Sequence, residues 1–227
     1  DHLTRDPRTG EPVPCRLWTS SLQRTILTAR HIPHPKVKPT SQTSGFSSKH
    51  ENKDWIQMSP RVLRNLDEIY AGVCDGMTYE EIEANYPEEF ALRNENKLGY
   101  RYPRGESYLD VISRLDPLIQ ELESYQDPVL IVGHQGVLRL IYAYFTGMDR
   151  TEACNASIPL NTVIKLTPKT HECDEAGRAA AQRGQPHGCS SSISSESQAA
   201  EGSNTDVMGG IGYIGRAKTL SLGRMIE

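Results

Sequence analysis

The chain has 227 residues, 37% of them hydrophobic and 24% charged, with a formal net charge of −4. That length supports one sizeable α/β core, alone or with a tail, and the charge balance offers no basic field to attract nucleic acid. No apolar run is long enough to cross a bilayer, no leader opens the chain, and five cysteines without a CxxC pair suit free thiols in a reducing, cytoplasmic setting better than a zinc site.

Residues 1–14 carry the turn formers "DPRTGEPVP" and read as a loop. The opening residue is Asp1 and not Met, which reads as a piece of a longer polypeptide. "CRLWTS" (15–20) predicts a short strand, and "SLQRTILTARH" predicts a helix capped by Ser20, with Leu22, Ile26, Leu27 and Ala29 as its apolar positions. The stretch 32–54 is rich in Pro, Ser and Lys without apolar period and predicts an exposed insertion; His31, His34 and His50 in and beside it lack partner ligands at metal-binding spacing.

Further along, Thr78 and Glu81 form a T-x-x-E capping box that starts a helix, and Pro87 separates it from a second short helix, "EEFALRNEN". "YRYPRGES" predicts a loop. In "SYLDVISRLDPLIQELESY", Val111, Ile112, Leu115, Leu118, Ile119 and Leu122 trace one helical face. A strand over 128–133, a helix from about Gly136 to Gly147, and a strand near 161–168 follow. Past Pro168 the chain is rich in Ser, Gly, Ala and Gln and predicts a disordered tail, 169–227. Within it, "GRAKTLSLGR" places basic residues three positions before Thr219 and Ser221, a spacing that chance also produces often. Alternating strands and helices predict an α/β domain over 1–168: three layers, a mostly parallel sheet with helices on both faces.

Ligands in such sheets collect at the carboxyl ends of the strands. "LWTSSLQRT" carries Arg24 there, and "LIVGHQG" carries His134 and Gln135 at a helix start, with Arg139 one turn on. From the residues alone His134 is equally a buried core histidine or a ligand-facing one. Arg93, Lys97, Arg101 and Arg104, interleaved with Tyr100 and Tyr102, form either a solvated edge or an anion pocket. Glu68 is a cap or turn former on one reading and a general acid on the other.

"LWTSSLQRTILTA", "LDEIYAGVCDGMTYEEIEANYPEEFALRNENK", "YRYPRGESY" and "VGHQGVLRLIYAYF" together resemble the histidine-phosphatase superfamily, whose sheet is of the phosphoglycerate-mutase type. More narrowly they resemble the fructose-2,6-bisphosphatase half of the bifunctional 6-phosphofructo-2-kinase/fructose-2,6-bisphosphatases. The resemblance implies hydrolysis of the 2-phosphate of fructose 2,6-bisphosphate to fructose 6-phosphate through a phosphohistidine. It implies that Arg24 clamps the transferring phosphoryl group, His134 stabilises its charge and Glu68 protonates the leaving oxygen. It further implies that Tyr79, Arg93, Lys97, Tyr108, Gln135 and Arg139 hold the substrate, with Arg101 a lesser member of that pocket. No cofactor is implied; ATP would enter only through a kinase half that these residues do not include. The family's nucleophile lies in an Arg-His-Gly motif, and none occurs in the 227 residues. The expectation is therefore a domain incomplete at its N-terminus, lacking its first strand and inactive alone. A non-catalytic sugar-phosphate-binding or regulatory module, or another member of the superfamily, stands as the alternative.

Overall fold

The sequence alternates buried-strand and amphipathic-helix patterns, and the chain folds accordingly. The structure, a computed structural model, describes residues 4–6, 9–38, 54–168, 173–179 and 210–214. Strands β1 (Arg16–Thr19), β4 (Pro60–Val62), β5 (Val129–Gly133), β6 (Thr162–Pro168), β7 (Cys173–Ala179) and β8 (Gly210–Ile214) form one sheet, in the order β4-β1-β5-β8-β6-β7. β1 runs parallel to both β4 and β5, and β8 runs parallel to β6. The β5–β8 and β6–β7 pairs are antiparallel.

Alternation along the strands sorts their side chains into two cores. Trp18, Val129 and Ile131 pack on one face beneath α4 (Tyr108–Ser124) and α5 (Gln135–Thr146), with Leu115, Leu122, Val137 and Ile141. Leu17, Leu130 and Val132 pack on the other face with Ala29 of α1 (Gln23–Ala29). Helices therefore cover both faces, as the sequence pattern predicts, and every residue of β5 is buried. None of the described helices is long and apolar enough to cross a membrane.

Local signals account for most boundaries. The Thr78/Glu81 box caps α2 (Tyr79–Asn85), Pro87 opens α3 (Pro87–Glu95), and a second box, Ser107 with Asp110, starts α4. α5 ends at Gly147, whose φ of 70° suits a residue without a Cβ. The structure departs from the sequence expectations in four places. Ser20 is not the N-cap of α1: Leu22 is, without a side-chain bond, and the Ser20 hydroxyl accepts from the Leu22 N–H and lies beside His134 Nε2. A short helix α6 (Arg150–Ala153) and the edge strand β4 carry too little apolar period to be read from sequence. At the insertion, β2 (Lys36–Val37) pairs with β3 (Trp55–Ile56), while 39–53 lie outside the described residues. In the predicted tail, residues 173–179 and 210–214 are strands; the remainder, Thr219 and Ser221 included, lies outside the described residues.

Among the described residues, β5 has a partner strand on each side. β8 lies beside it, Gly210 opposite Gly133 and Ile214 opposite Val129, so both edges of β5 are hydrogen-bonded.

Candidate active site

The carboxyl ends of β1 and β5 are neighbours, with Thr19 opposite Val132, and the Ser20 N–H donates to the Val132 carbonyl at 3.3 Å. The residues that follow these strands are thereby brought together: Ser20 and Arg24 from one, His134 and Gln135 from the other. His134 is fully buried and sits at the N-cap of α5 in extended backbone. Its Nε2 lies 2.7 Å from Ser20 Oγ, and its Nδ1 accepts from Arg24 Nε at 3.1 Å. Burial and the Arg24 charge push its pKa down to about 4, so the ring is neutral near pH 7. His134 is thus a buried histidine, and it touches the cavity only by holding Arg24, which lines it.

The Glu68 carboxylate approaches the same turn from the far side. Its Oε1 accepts from Ile69 N–H at 3.0 Å and its Oε2 from Gly136 N–H at 3.3 Å. A Cβ on Gly136 would come within 2.6 Å of Glu68 Oε1, so any larger residue would require the carboxylate to shift. Burial raises the Glu68 pKa, against the pull of the two N–H bonds and of Arg24 and Arg114. Arg114 braces the loop: it donates to the carbonyls of Asn65 at 2.6 Å and Asp67 at 2.7 Å, and to Glu106 at 2.9 Å. Asp67 in turn accepts from the backbone N–H and hydroxyl of Ser21, at 2.7 and 2.6 Å.

Arg24, Glu68, Tyr79, Tyr108, Gln135 and Arg139 line one cavity of about 780 Å³, with Tyr102 also on its wall. A second cavity of about 620 Å³ shares Arg24 and Glu68 and extends toward Arg64 and Arg114. Tyr108 is buried and its pKa is raised to about 12, with Arg139 opposing the shift, so it stays a phenol able to donate. Arg139 donates through Nε to the Ala156 carbonyl at 2.8 Å. Arg93 is held behind the cavity wall, donating to Tyr79 Oη at 2.8 Å and lying 4.4 Å from its ring centre.

Four predicted residues do not join this lining: His134, fully buried behind Arg24, and Arg93, Lys97 and Arg101. Arg93 touches the cavity wall through Tyr79 and Tyr102. Lys97 is turned to Asn155 Oδ1 at 2.8 Å. Arg101 points outward into an ion pair with Asp110 at 2.5 Å, its side chain largely exposed. Sequence reasoning missed Ser20, Thr25 and Arg114 as parts of the site. Ser20 was read as a helix cap, and Arg114 lies on the polar side of α4, where only its contacts distinguish it from a solvated charge.

The profile of the histidine phosphatase superfamily (branch 1) matches residues 8–176. The chain is 49% identical over 151 residues to a 6-phosphofructo-2-kinase/fructose-2,6-bisphosphatase of Arabidopsis thaliana, covering 66% of this chain and 17% of that protein. It is 47% identical over 155 residues to a fructose-2,6-bisphosphatase of Saccharomyces cerevisiae, covering 68% of this chain and 29% of that protein. The chain thus spans less than a third of the length of either relative. Among solved structures it is similar to a putative alpha-ribazole-5'-P phosphatase from Escherichia coli, at 20% identity and a TM-score of 0.49, covering 66% of this chain and 64% of the other.

Proposed function

The chain belongs to the histidine phosphatase superfamily (branch 1), and from that premise we propose that it carries the phosphoryl-binding and proton-donating part of a fructose-2,6-bisphosphatase site. The supporting observation is convergence: Arg24, Glu68, Tyr79, Tyr108, Gln135 and Arg139 face one cavity. That set combines two guanidinium forks for phosphate oxygens, phenol and amide donors for a sugar, and one carboxyl kept protonatable by burial.

The proposed step balances as follows. A histidine nitrogen attacks the phosphorus at the sugar's 2-position, and the bond from phosphorus to the sugar oxygen breaks. Glu68 gives its proton to that oxygen, fructose 6-phosphate leaves, and water then attacks the phosphohistidine to release phosphate. Arg24 receives the transferring group, and His134 acts on it through Arg24, whose Nε it holds. Arg139 and Tyr108, in the same lining, take the 6-phosphate end. This chemistry calls for no cofactor.

No Arg-His-Gly motif occurs in the 227 residues. The reading therefore assigns turnover to a polypeptide that also holds that motif, in which a kinase half like that of the plant relative is the expected companion. A binding or regulatory module that never turns over is the competing reading. Joining the family's Arg-His-Gly strand ahead of Asp1 and measuring phosphate release from fructose 2,6-bisphosphate separates the two. The enzymatic reading requires release that Glu68→Gln lowers roughly 100- to 10,000-fold, the range of a general acid. Binding of the sugar phosphate by the joined chain without any release supports the module.

A further inference from the structure

We propose that Ser20 is a positioning residue for His134: with Thr25 it forms a closed hydroxyl relay that accepts the Nε2 proton and leaves Nδ1 bare to hold Arg24. The inference rests on the site reading above and deepens it, adding residues that sequence reasoning assigned to helix capping or to nothing.

The fixed donor at Arg24 sets the direction of the relay from the ring to Thr25. Arg24 Nε can only donate, so His134 Nδ1, at 3.1 Å, carries no proton. The proton of the neutral ring is then on Nε2, which faces Ser20 Oγ at 2.7 Å. The Leu22 N–H also donates to Ser20 Oγ, at 3.2 Å. With both acceptor positions of that oxygen taken, its own hydrogen goes to Thr25 Oγ1 at 2.7 Å. Thr25 passes its hydrogen to a backbone carbonyl, that of Leu22 at 2.9 Å being nearer than that of Ser20 at 3.3 Å. The peptide groups of Leu22 thus supply both the N–H that enters the relay and the carbonyl that ends it.

Ser20, Thr25 and His134 are all fully buried, so water does not substitute for a broken link. A doubly protonated ring would set an Nδ1–H against the Arg24 Nε–H, two donors face to face, which agrees with the low pKa of the ring. With Nε anchored, the two terminal nitrogens of Arg24 are left to present a fork on the cavity side, where Arg24 is part of the lining. The strand-to-helix turn that would ordinarily spend Ser20 on a cap uses it to orient the phosphate-facing arginine instead.

Long-range 1H–15N NMR of the full chain with 15N-labelled histidine tests this, with the His134 signals assigned by their loss in His134→Gln. The relay requires a pyridine-type Nδ1 and a pyrrole-type Nε2 at pH 7, with an Nε2-bound proton protected from solvent exchange. Thr25→Val keeps the side-chain shape but removes the acceptor for the Ser20 hydrogen, freeing Ser20 to donate to Nε2. Both ring nitrogens should then move toward exchange-averaged shifts, and Ser20→Thr should retain the wild-type pattern. An Nδ1–H ring or an unprotected Nε2 proton in the wild type overturns the proposal, whether or not the variants fold. So does a folded Thr25→Val chain with an unchanged pattern. None of these readouts involves turnover, so a failed phosphate-release assay would count against the enzymatic reading and leave this one standing.

Discussion

His134 illustrates how one buried side chain can hold a residue that lines a cavity. Its ring is fully buried, yet both nitrogens are committed to Ser20 and Arg24. The depressed pKa has a consequence for stability with a definite sign. The folded ring titrates at about 4 and the unfolded one near 6.5, so between those values the unfolded chain binds more protons. The stability this provides is complete above pH 6.5 and is lost as pH falls through about 4, a contribution of roughly 3 kcal/mol for a shift of this size. Urea unfolding at a series of pH values should show that slope, and His134→Gln should flatten it. Glu68 has the opposite sign. Its pKa is raised in the fold, so its neutral form is favoured there and stability falls as pH rises from its unfolded value through the folded one.

At the level of elements, the turn from β5 into α5 carries the site, and Gly136 is its tightest point. Gly136→Ala places a Cβ 2.6 Å from Glu68 Oε1 and should push the carboxylate off the Ile69 and Gly136 amides. Two hydrogen bonds from backbone amides are at stake, at about 0.5–1.5 kcal/mol each. The expected outcome is a chain that folds with a lowered thermal midpoint, and in the joined enzyme a rate loss approaching that of Glu68→Gln. Much at this scale was legible beforehand. Thr78, Pro87 and Gly147 mark helix ends through local chemistry, and the apolar stripe from Val111 to Leu122 fixes the buried face of α4. The positions that misled were those where a tertiary partner outbid a local one. Ser20 bonds His134, 114 positions along the chain, and Arg114 bonds carbonyls 46 to 49 positions before it. No periodicity reports such pairings. The outward turn of Arg101 toward Asp110 follows the same rule, since a neighbouring carboxylate competes with any cavity for the guanidinium.

Across the whole molecule, the sheet explains why separated segments meet. Parallel pairing of β1 with β5 puts both strand ends on one edge, which is why Arg24 and His134, 110 positions apart, come together. β8 was not legible, because "GIGYI" has too few apolar side chains to announce a sheet strand and its pairing is tertiary. Its position between β5 and β6 makes a backbone prediction. Gly212→Pro removes an N–H and inserts a ring into the strand facing Ile131, so it should destabilise the domain by about 3 kcal/mol or more, read as a lower urea midpoint.

The claim on which the rest depends is that one cavity receives a doubly phosphorylated sugar, and calorimetric titration of the chain with fructose 2,6-bisphosphate addresses it most directly. The account predicts saturable binding that Arg139→Gln weakens at least about tenfold, a loss of roughly 1.4 kcal/mol. Absence of binding by the folded wild-type chain, or equal affinity in the variant, would contradict it.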